Sequence, residues 1–336
     1  MSARVGVVGA GSWGTALANL LAAKGNAVTM WSFEADVAES INRAHENTKY
    51  MKGIALHANL RATQQLDEAV GGADVILNVT PSQHVRRVLS EAAAHISENT
   101  LVVSASKGIE TASLQTMAEV LEEVLPGMPG AHACFLSGPS FALEVARHMP
   151  TAVAMASHHA ESADKAQQLF QAPYFRVYTN PDVIGVELGG AIKNVIAIAA
   201  GMATGLKLGH NALAALITRG LAEMARLGVA RGANPLTFSG LAGMGDLILT
   251  CTGELSRNRS VGVALGEGKS IDEILGGMFM VAEGVETTRA ANALAQKTGI
   301  EMPIVREVYG VLFEGRTARE ALENLMLREP KPEQWK

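Results

Sequence analysis

Short apolar and β-branched runs alternate with longer helical patterns over the first half of the chain. The short runs predict strands at residues 4–8, 27–31, 75–79, 101–104, 133–137, 152–156 and 175–178. The segments between them predict helices at residues 15–24, 36–45, 83–95, 114–125 and 160–170. This alternation is typical of a parallel sheet with helices on both faces. Right-handed crossovers then make it a doubly wound, Rossmann-type α/β fold.

The second half has a different pattern. From about Gly185 onward the chain consists of long segments rich in Ala, Leu and Met, without a strand pattern. Residues 185–205, 212–227 and 285–298 have helical length and composition, with prolines and glycines between them. We therefore expect a dinucleotide-binding domain over residues 1–184 and an all-α substrate and catalytic domain over residues 185–336.

Composition excludes several classes of protein. The 336 residues include 28 Lys and Arg against 33 Asp and Glu, a formal net charge of −5 with no basic run, which argues against a nucleic-acid binder. The two cysteines, Cys134 and Cys251, match neither a disulfide framework nor a zinc motif, and we expect no metal site. The most apolar later stretch, residues 195–206, is shorter than the roughly 20 residues of a membrane span. These features predict a cytoplasmic protein that binds no membrane.

A glycine motif follows the first predicted strand. Gly9, Gly11 and Gly14 have the spacing G-x-G-x-x-G and open a predicted helix. In a dinucleotide-binding unit these positions allow a tight turn, close approach of the pyrophosphate, and packing of the helix on the strand. The alternative is a glycine-rich turn without a ligand, but the strand before it and the helix after it favour NAD or NADP binding.

The choice between NAD and NADP stays open. An NAD-binding unit usually has an acidic residue at the end of its second strand. Here Glu34 comes one or two positions late, and Phe33 occupies the position expected to face the adenosine. The nearest arginine, Arg43, lies well along the following helix. With neither an acid nor a cation in place, we expect a modest preference only.

Polar residues and glycines follow three further strands, where ligands bind in parallel sheets. These segments are Asn78–Ser82, Ser104–Gly108 and Ser137–Ala142 in the chain. The second contains Lys107, which is either a functional lysine or a solvated loop residue. Its position at a strand end favours function.

A lysine interrupts the most apolar helix. Lys193 and Asn194 lie within an otherwise apolar stretch. A buried lysine has to reach water, pair with an acid, or titrate near neutral pH. Asp246, in Gly-Met-Gly-Asp-Leu, is a candidate partner, and its alternative role is a helix N-cap.

Ser256, Arg257 and Asn258 stand in a row at a predicted helix start. An arginine guanidinium can bind a phosphate through two parallel N–H groups, and free N–H groups at a helix N-terminus bind anions. We therefore name Ser256, Arg257 and Asn258 the phosphate cradle. An exposed basic turn is the alternative for this segment.

Together these segments resemble the NAD(P)-dependent glycerol-3-phosphate dehydrogenases of the bacterial type, over essentially the whole chain. The resemblance is carried by Gly9–Ala16, Ser106–Gly108, Ser137–Ala142, Gly190–Val195, Gly243–Leu247 and Ser256–Asn258. The Lys193-Asn194 segment is the most specific of these, whereas the glycine loop is shared by many unrelated enzymes.

The resemblance implies a set of site residues. For the cofactor, NAD or NADP, it implies Gly9, Gly11, Ser12, Trp13, Gly14, Phe33, Lys107, Ala142, Arg257, Val281 and Glu283. For the substrate it implies Lys107, Gly138, Ser140, Lys193, Asp246, Ser256, Arg257 and Asn258. Lys193 is the implied proton donor and acceptor, with Asp246 and Lys107 beside it as catalytic residues.

The implied reaction is reversible hydride transfer between NAD(P)H and dihydroxyacetone phosphate, giving sn-glycerol 3-phosphate for phospholipid synthesis. A homodimer is plausible from the apolar helical half. Two other interpretations stay open on the residues alone. One is a two-domain dehydrogenase of 3-hydroxy acids or sugar acids, and the other is a dinucleotide-sensing regulator without turnover.

Overall fold

The computed structural model describes residues 2–125, 132–277, 282–330 and 332–333. Eight strands form one sheet: β1 Arg4–Val8, β2 Ala27–Trp31, β3 Leu60–Thr63, β4 Val75–Asn78, β5 Leu101–Ser104, β6 Ala133–Ser137, β7 Thr151–Ala156 and β8 Phe175–Asn180. Their order across the sheet is β3-β2-β1-β4-β5-β6-β7-β8. The first six strands have the order of a doubly wound dinucleotide-binding sheet.

Fifteen α-helices lie in the described residues. They are α1 Ser12–Ala23, α2 Ala35–Ala44, α3 Leu66–Val70, α4 Val85–Ala92, α5 Met117–Val124, α6 Ala142–Ala146, α7 Ala160–Phe170, α8 Val183–Gly205, α9 Gly209–Ala230, α10 Asp246–Thr252, α11 Arg257–Gly266, α12 Ile271–Gly276, α13 Glu283–Thr298, α14 Pro303–Phe313 and α15 Ala318–Met326. The predicted α/β fold with a helical second part is confirmed.

Alternate strand residues enter two separate cores, so both faces of the sheet are covered. Val7 of β1 and Leu77 of β4 belong to one cluster of buried side chains, whereas their neighbours Val8 and Ile76 belong to another. A strand buried on both faces reads as a continuous apolar run. That is why the sequence pattern located these strands within one or two residues.

Two features of the sheet were not predicted. Strand β3 was missed, because this short edge strand carries the exposed Arg61 and has little apolar pattern. The sheet was also expected to be parallel, whereas β7 runs antiparallel to β6. The connection between these two strands contains only the five-residue helix α6, which is too short to return the chain across a face of the sheet.

Helix α8 is the centre of the second half. Its 23 residues begin beside Asp182, whose carboxylate accepts a hydrogen bond from the N–H of Gly185. It is the one described helix that is long and apolar enough to cross a membrane, but 89% of that stretch is buried inside the protein. The helix is longer than the apolar stretch marked in the sequence, and its apolar surface is covered by the helices around it.

Glycines allow α8 and α11 to cross in direct backbone contact. A Cβ atom on Gly201 would lie 2.1 Å from the carbonyl oxygen of Arg259, and one on Gly262 would lie 2.0 Å from that of Ile198. The crossing therefore requires glycine on both helices. It places the N-terminus of α11 beside the middle of α8.

The last strand ends at Asn180 and α8 begins at Val183, and the described residues beyond that point form no strand. The domain division at residues 184 and 185 stays a prediction.

Candidate active site

The candidate site lies where the carboxyl ends of the central strands meet α8, α10 and α11. Lys107 comes from the loop after β5, Lys193 from the middle of α8, and Asp246 from the start of α10. The sequence separates these residues widely, and the fold brings them into contact.

Asp246 joins the two lysines. Its side chain is 1% exposed, and Lys193 donates a hydrogen bond to its Oδ1 atom. The Nζ atom of Lys107 lies 3.0 Å from Oδ2 and 3.4 Å from the carbonyl oxygen of Gly138. The hydroxyl of Thr250 lies 3.3 Å from Oδ1. The carboxylate thus holds two ammonium groups at fixed positions, and the predicted Lys193–Asp246 pair is present in place of the N-cap alternative.

Burial changes the acid–base properties of this cluster. Desolvation, together with the positive charge of Lys107, lowers the pKa of Lys193 from 10.5 to about 8, although Asp246 opposes the change. Burial alone would raise the pKa of Asp246, but Lys107 and Lys193 hold it below its usual value. Lys193 is therefore able to give or take a proton near neutral pH, while Asp246 stays ionised.

The predicted phosphate cradle stands at the N-terminus of α11. Ser256 caps the helix by accepting a hydrogen bond from the N–H of Arg259 at 3.2 Å. Asn258 accepts one from the N–H of Gly284 at 2.9 Å, which ties α11 to the start of α13. Arg257 is exposed, and its charge acts on the neighbouring Glu283.

Glu283 connects the cradle to the lysine cluster. Burial raises the pKa of this carboxyl group, while the charges of Arg257, Lys107 and Lys193 act on it in the opposite direction. The structure thus brings Glu283 near all three cations. Its predicted neighbour Val281 lies outside the described residues.

The glycine loop fits a dinucleotide. Gly9 has φ +118°, a conformation that favours glycine, and a Cβ on Gly14 would lie 2.1 Å from the carbonyl oxygen of Gly9. Gly11 faces open space, since a Cβ on this residue would have no atom within 4 Å, and no side chain caps the start of α1. Open N–H groups at a helix N-terminus suit a pyrophosphate. Nearby, the buried Nε1 atom of Trp13 has no hydrogen-bond partner in the described part of the chain.

Three other predicted contact residues, Gly138, Ser140 and Ala142, follow strand β6. Gly138 has φ +141° and its carbonyl oxygen accepts hydrogen bonds from Lys107 and from the hydroxyl of Ser140. Ala142 begins α6, which packs against α1. The segment after β6 therefore contacts both Lys107 and the helix that follows the glycine loop.

An unpredicted cation, Lys49, pairs with Glu34 next to Phe33, the residue predicted to face the adenosine. Phe33 is 75% exposed at the end of β2. Beside it, the Glu34 carboxylate lies 2.7 Å from Nζ of Lys49 and accepts a hydrogen bond from the Tyr50 hydroxyl at 2.8 Å. Arg43, the cation considered from the sequence, instead pairs with Glu39. The sequence around Lys49 does not indicate this ion pair, because Lys49 follows α2 and reaches Glu34 only in the folded chain.

No group of three or more His, Cys, Asp or Glu side chains in the described ranges is placed to hold a metal ion.

Comparison with known proteins agrees with this geometry. Residues 4–163 match the family described as the NAD-dependent glycerol-3-phosphate dehydrogenase N-terminus, and residues 182–323 match its C-terminus. The chain is 56% identical over 333 residues to glycerol-3-phosphate dehydrogenase [NAD(P)+] of Geobacter metallireducens, covering 99% of both chains. It is 53% identical to the Myxococcus xanthus protein of the same name, covering 98% of each.

A solved structure extends the likeness to the fold. The crystal structure of glycerol-3-phosphate dehydrogenase from Coxiella burnetii superposes with a TM-score of 0.93 at 40% identity, covering 97% of this chain and 99% of that one. Both halves of the chain match the corresponding family models. The chain belongs to the NAD-dependent glycerol-3-phosphate dehydrogenase family.

Proposed function

We propose that the chain catalyses the reversible reduction of dihydroxyacetone phosphate to sn-glycerol 3-phosphate with NADH or NADPH. The observation that carries this proposal is the buried Lys193–Asp246–Lys107 cluster between the glycine loop and the α11 cradle. In this proposal Lys193 is the proton donor, the glycine loop binds the cofactor and the α11 N-terminus binds the phosphate, as reduction of a phosphorylated ketone requires.

Lys193 supplies the proton. When bound, NAD(P)H supplies the hydride to the carbonyl carbon, and the chain has to deliver a proton to the carbonyl oxygen. The lowered pKa of Lys193 suits general acid–base work, for which the best pKa lies near the working pH. In the oxidation direction the neutral amine of Lys193 takes the hydroxyl proton.

Asp246 and Lys107 position and polarise the site. The two carboxylate oxygens of Asp246 hold Lys193 and Lys107 separately, which fixes both amines. Lys107 adds positive charge where negative charge develops on the substrate oxygen. Fixed charges inside a water-poor site contribute strongly to transition-state stabilisation.

Arg257 and Asn258 bind the phosphate in this proposal, assisted by Ser256. The N-terminus of α11 provides N–H donors, and the exposed guanidinium of Arg257 provides a bidentate fork. Phosphate binding away from the reacting carbon positions the carbonyl near Lys193. Gly138 and Ser140 line the side of the cleft opposite this helix.

The glycine loop Gly9–Gly14 holds the pyrophosphate, with Ser12 and Trp13 at the start of α1 and Ala142 behind it. Phe33 covers the adenosine end. Glu283 closes the cleft from the α13 side, and Val281, outside the described residues, is the remaining cofactor residue that the family resemblance implies. A cytoplasmic homodimer and a supply of product to phospholipid synthesis complete the proposal.

An absorbance assay of NADH and NADPH oxidation with dihydroxyacetone phosphate tests it. We expect oxidation with this ketone, and in the reverse direction faster reduction of NAD⁺ or NADP⁺ with sn-glycerol 3-phosphate than with 3-hydroxy acids or sugar acids. Faster turnover of a hydroxy acid would support the alternative dehydrogenase. Cofactor binding without oxidation would support a dinucleotide-sensing regulator.

A further inference from the structure

A second cavity lies outside the proposed active site. Its volume is about 330 Å³, and its walls come from Thr111 in the segment after Lys107, from one face of α13, and from α14 with the residue that follows it. None of its lining residues belongs to the site described above. The volume lies at the lower end of the roughly 300–1,000 Å³ typical of small-molecule pockets.

Two arginines give this cavity a positive lining. Arg289 of α13 has its guanidinium 3.6 Å from the ring centroid of Phe313, and its Nε atom lies 3.8 Å from Glu286, which is outside the lining. Arg306 of α14 donates to Glu314 at 2.9 Å. Glu314 is the only acidic lining residue, and it also lies 3.6 Å from Arg316, outside the lining. Each arginine thus has one carboxylate neighbour, but only Glu314 belongs to the lining, so two guanidinium groups and one carboxylate line the cavity.

One buried polar group beside these arginines has no hydrogen-bond partner within the described ranges. It is the hydroxyl of Thr111. Buried polar groups in native proteins are nearly always hydrogen-bonded, so this hydroxyl needs an explanation. Asn292, at 8% exposure, lines the same cavity. Gln296 lies one turn beyond Asn292 on the same face of α13.

We infer that this cavity binds a small phosphorylated metabolite, separately from the substrate. Guanidinium groups form bidentate, charge-assisted hydrogen bonds to phosphate. The amides of Asn292 and Gln296 and the hydroxyl of Thr111 supply donors and acceptors for hydroxyl groups of the same ligand. The cavity has room for a phosphate with a short carbon skeleton.

The cavity joins the two halves of the protein. Thr111 donates its N–H to Gln83 at 2.9 Å, and Gln83 donates to the carbonyl oxygen of Ile109 at 2.8 Å, which ties this wall to the sheet domain. The opposite wall, α13, begins at Glu283 beside the lysine cluster. A ligand in the cavity therefore bridges the Lys107 loop and α13.

Equilibrium dialysis of the full chain with radiolabelled inorganic phosphate tests the inference by stoichiometry. We expect the wild-type protein to bind two phosphates per chain, and the double variant Arg289→Gln/Arg306→Gln to bind one. The lost affinity should be at least about tenfold, since hydrogen bonds to charged groups contribute roughly 1.5–3 kcal/mol each. The double variant should oxidise NADH with dihydroxyacetone phosphate at the wild-type rate in phosphate-free buffer, which also shows that it is folded.

Two further variants separate this inference from the proposed function. Arg257→Ala should remove the other phosphate, and the control Arg319→Gln/Arg43→Gln, with the same change in charge, should keep both. A wild-type stoichiometry of one, abolished by Arg257→Ala, would overturn the inference. Retention of the second phosphate by the double variant would overturn it as well. If Arg257→Ala removes no phosphate, the substrate assignment is wrong while the second site stands.

Discussion

Glycines serve two different purposes in the β1–α1 loop and in the α8–α11 crossing. In the loop, Gly11 faces open space, so its missing side chain leaves room for a ligand. In the crossing, a Cβ atom on Gly201 or on Gly262 would overlap a carbonyl oxygen of the other helix. The missing side chains of these glycines therefore let the two helix backbones come into direct contact.

The difference shows which glycine pattern can be interpreted locally. Gly9, Gly11 and Gly14 lie within six residues, between a strand and a helix, and their spacing indicates a dinucleotide. The glycines of α8 and α11 become partners only after folding. The first region is the proposed dinucleotide site, and the second holds Lys193 on α8 and the start of α11 at fixed positions relative to each other.

The largest expected effect comes from replacing Lys193, which lies on α8, one of the two helices of the glycine crossing. Lys193→Ala should reduce kcat by roughly 10²–10⁴, because a general acid–base group is lost. NADH binding, measured by fluorescence titration, should stay unchanged because the glycine loop is untouched. Lys207→Ala, which removes an exposed lysine after the end of the same helix, is the control. Near-wild-type kcat in the folded Lys193 variant would exclude this lysine as the proton donor.

Removing the guanidinium of Arg257, the proposed phosphate ligand, should have the next largest effect. Arg257→Ala should raise KM for dihydroxyacetone phosphate by about 10- to 150-fold, since a charge-assisted clamp contributes roughly 1.5–3 kcal/mol. Unphosphorylated dihydroxyacetone, which lacks the group that Arg257 holds, should respond little. Steady-state kinetics with both ketones measure this difference. An equal response of the two substrates would show that Arg257 is no phosphate ligand.

A pair of glycine substitutions tests the comparison itself. Gly201→Ala should lower the free energy of unfolding by about 1–3 kcal/mol, because the new methyl group meets the backbone of α11. Gly11→Ala should leave it within about 0.5 kcal/mol and weaken NADH binding instead. Urea denaturation and fluorescence titration of both variants separate the two effects.

Gly276→Ala is the matched control, since no atom lies within 4 Å of its Cβ position. The comparison fails if Gly11→Ala destabilises the fold as much as Gly201→Ala does.

The pH dependence of turnover should follow the lysine cluster. Reduction requires the ammonium form of Lys193, whose pKa is lowered to about 8, so kcat/KM for the ketone should fall above about pH 8, up to about tenfold per pH unit. Oxidation requires the neutral amine, so kcat/KM for sn-glycerol 3-phosphate should fall below that pH. Rate profiles from pH 6 to 10 in both directions test this. Limbs that slope the same way in both directions would contradict the assignment.

The smallest expected effect concerns the choice of cofactor. Glu34 suits the ribose of NADH and Lys49 suits the 2′-phosphate of NADPH, and the two form a pair, so we expect kcat/KM values within about tenfold of each other. Lys49→Gln should weaken NADPH binding about tenfold relative to NADH, measured by titration, whereas Arg43→Gln should change neither. A hundredfold preference in the wild-type protein would show that one member of the pair acts alone at the ribose.

Much of the fold could be predicted because strands buried on both faces are continuous apolar runs and amphipathic helices have a period of 3.6 residues. The exceptions have local physical causes. The predicted helix over residues 114–125 begins later, at Met117, because Thr116 and Glu119 form a capping box there. The predicted helix over residues 83–95 keeps α-helical geometry only from Val85 to Ala92, with single 3₁₀ turns on either side.

The candidate site could likewise be predicted only in part: its motifs were located from the sequence, but some of its contacts were not. Its motifs could be located from residue types, since a lysine is costly to bury in an apolar helix and an arginine at a helix start can bind an anion. The pairing of Lys107 with Asp246 joins residues 139 positions apart, and nothing in the local pattern indicated it. Lys49 was missed for the same reason.

The sequence alone therefore determined the classes of element, the dinucleotide loop and the residues able to do chemistry, because periodicity and short motifs express local steric and hydrogen-bonding rules. Only the tertiary structure decided the antiparallel β7, the glycine crossing, the pKa of Lys193 and the cation at the adenosine end. Each of these depends on contacts between residues far apart in the chain. Burial and proximity are properties of the folded protein, and they are what turned an ordinary lysine into a candidate acid and base.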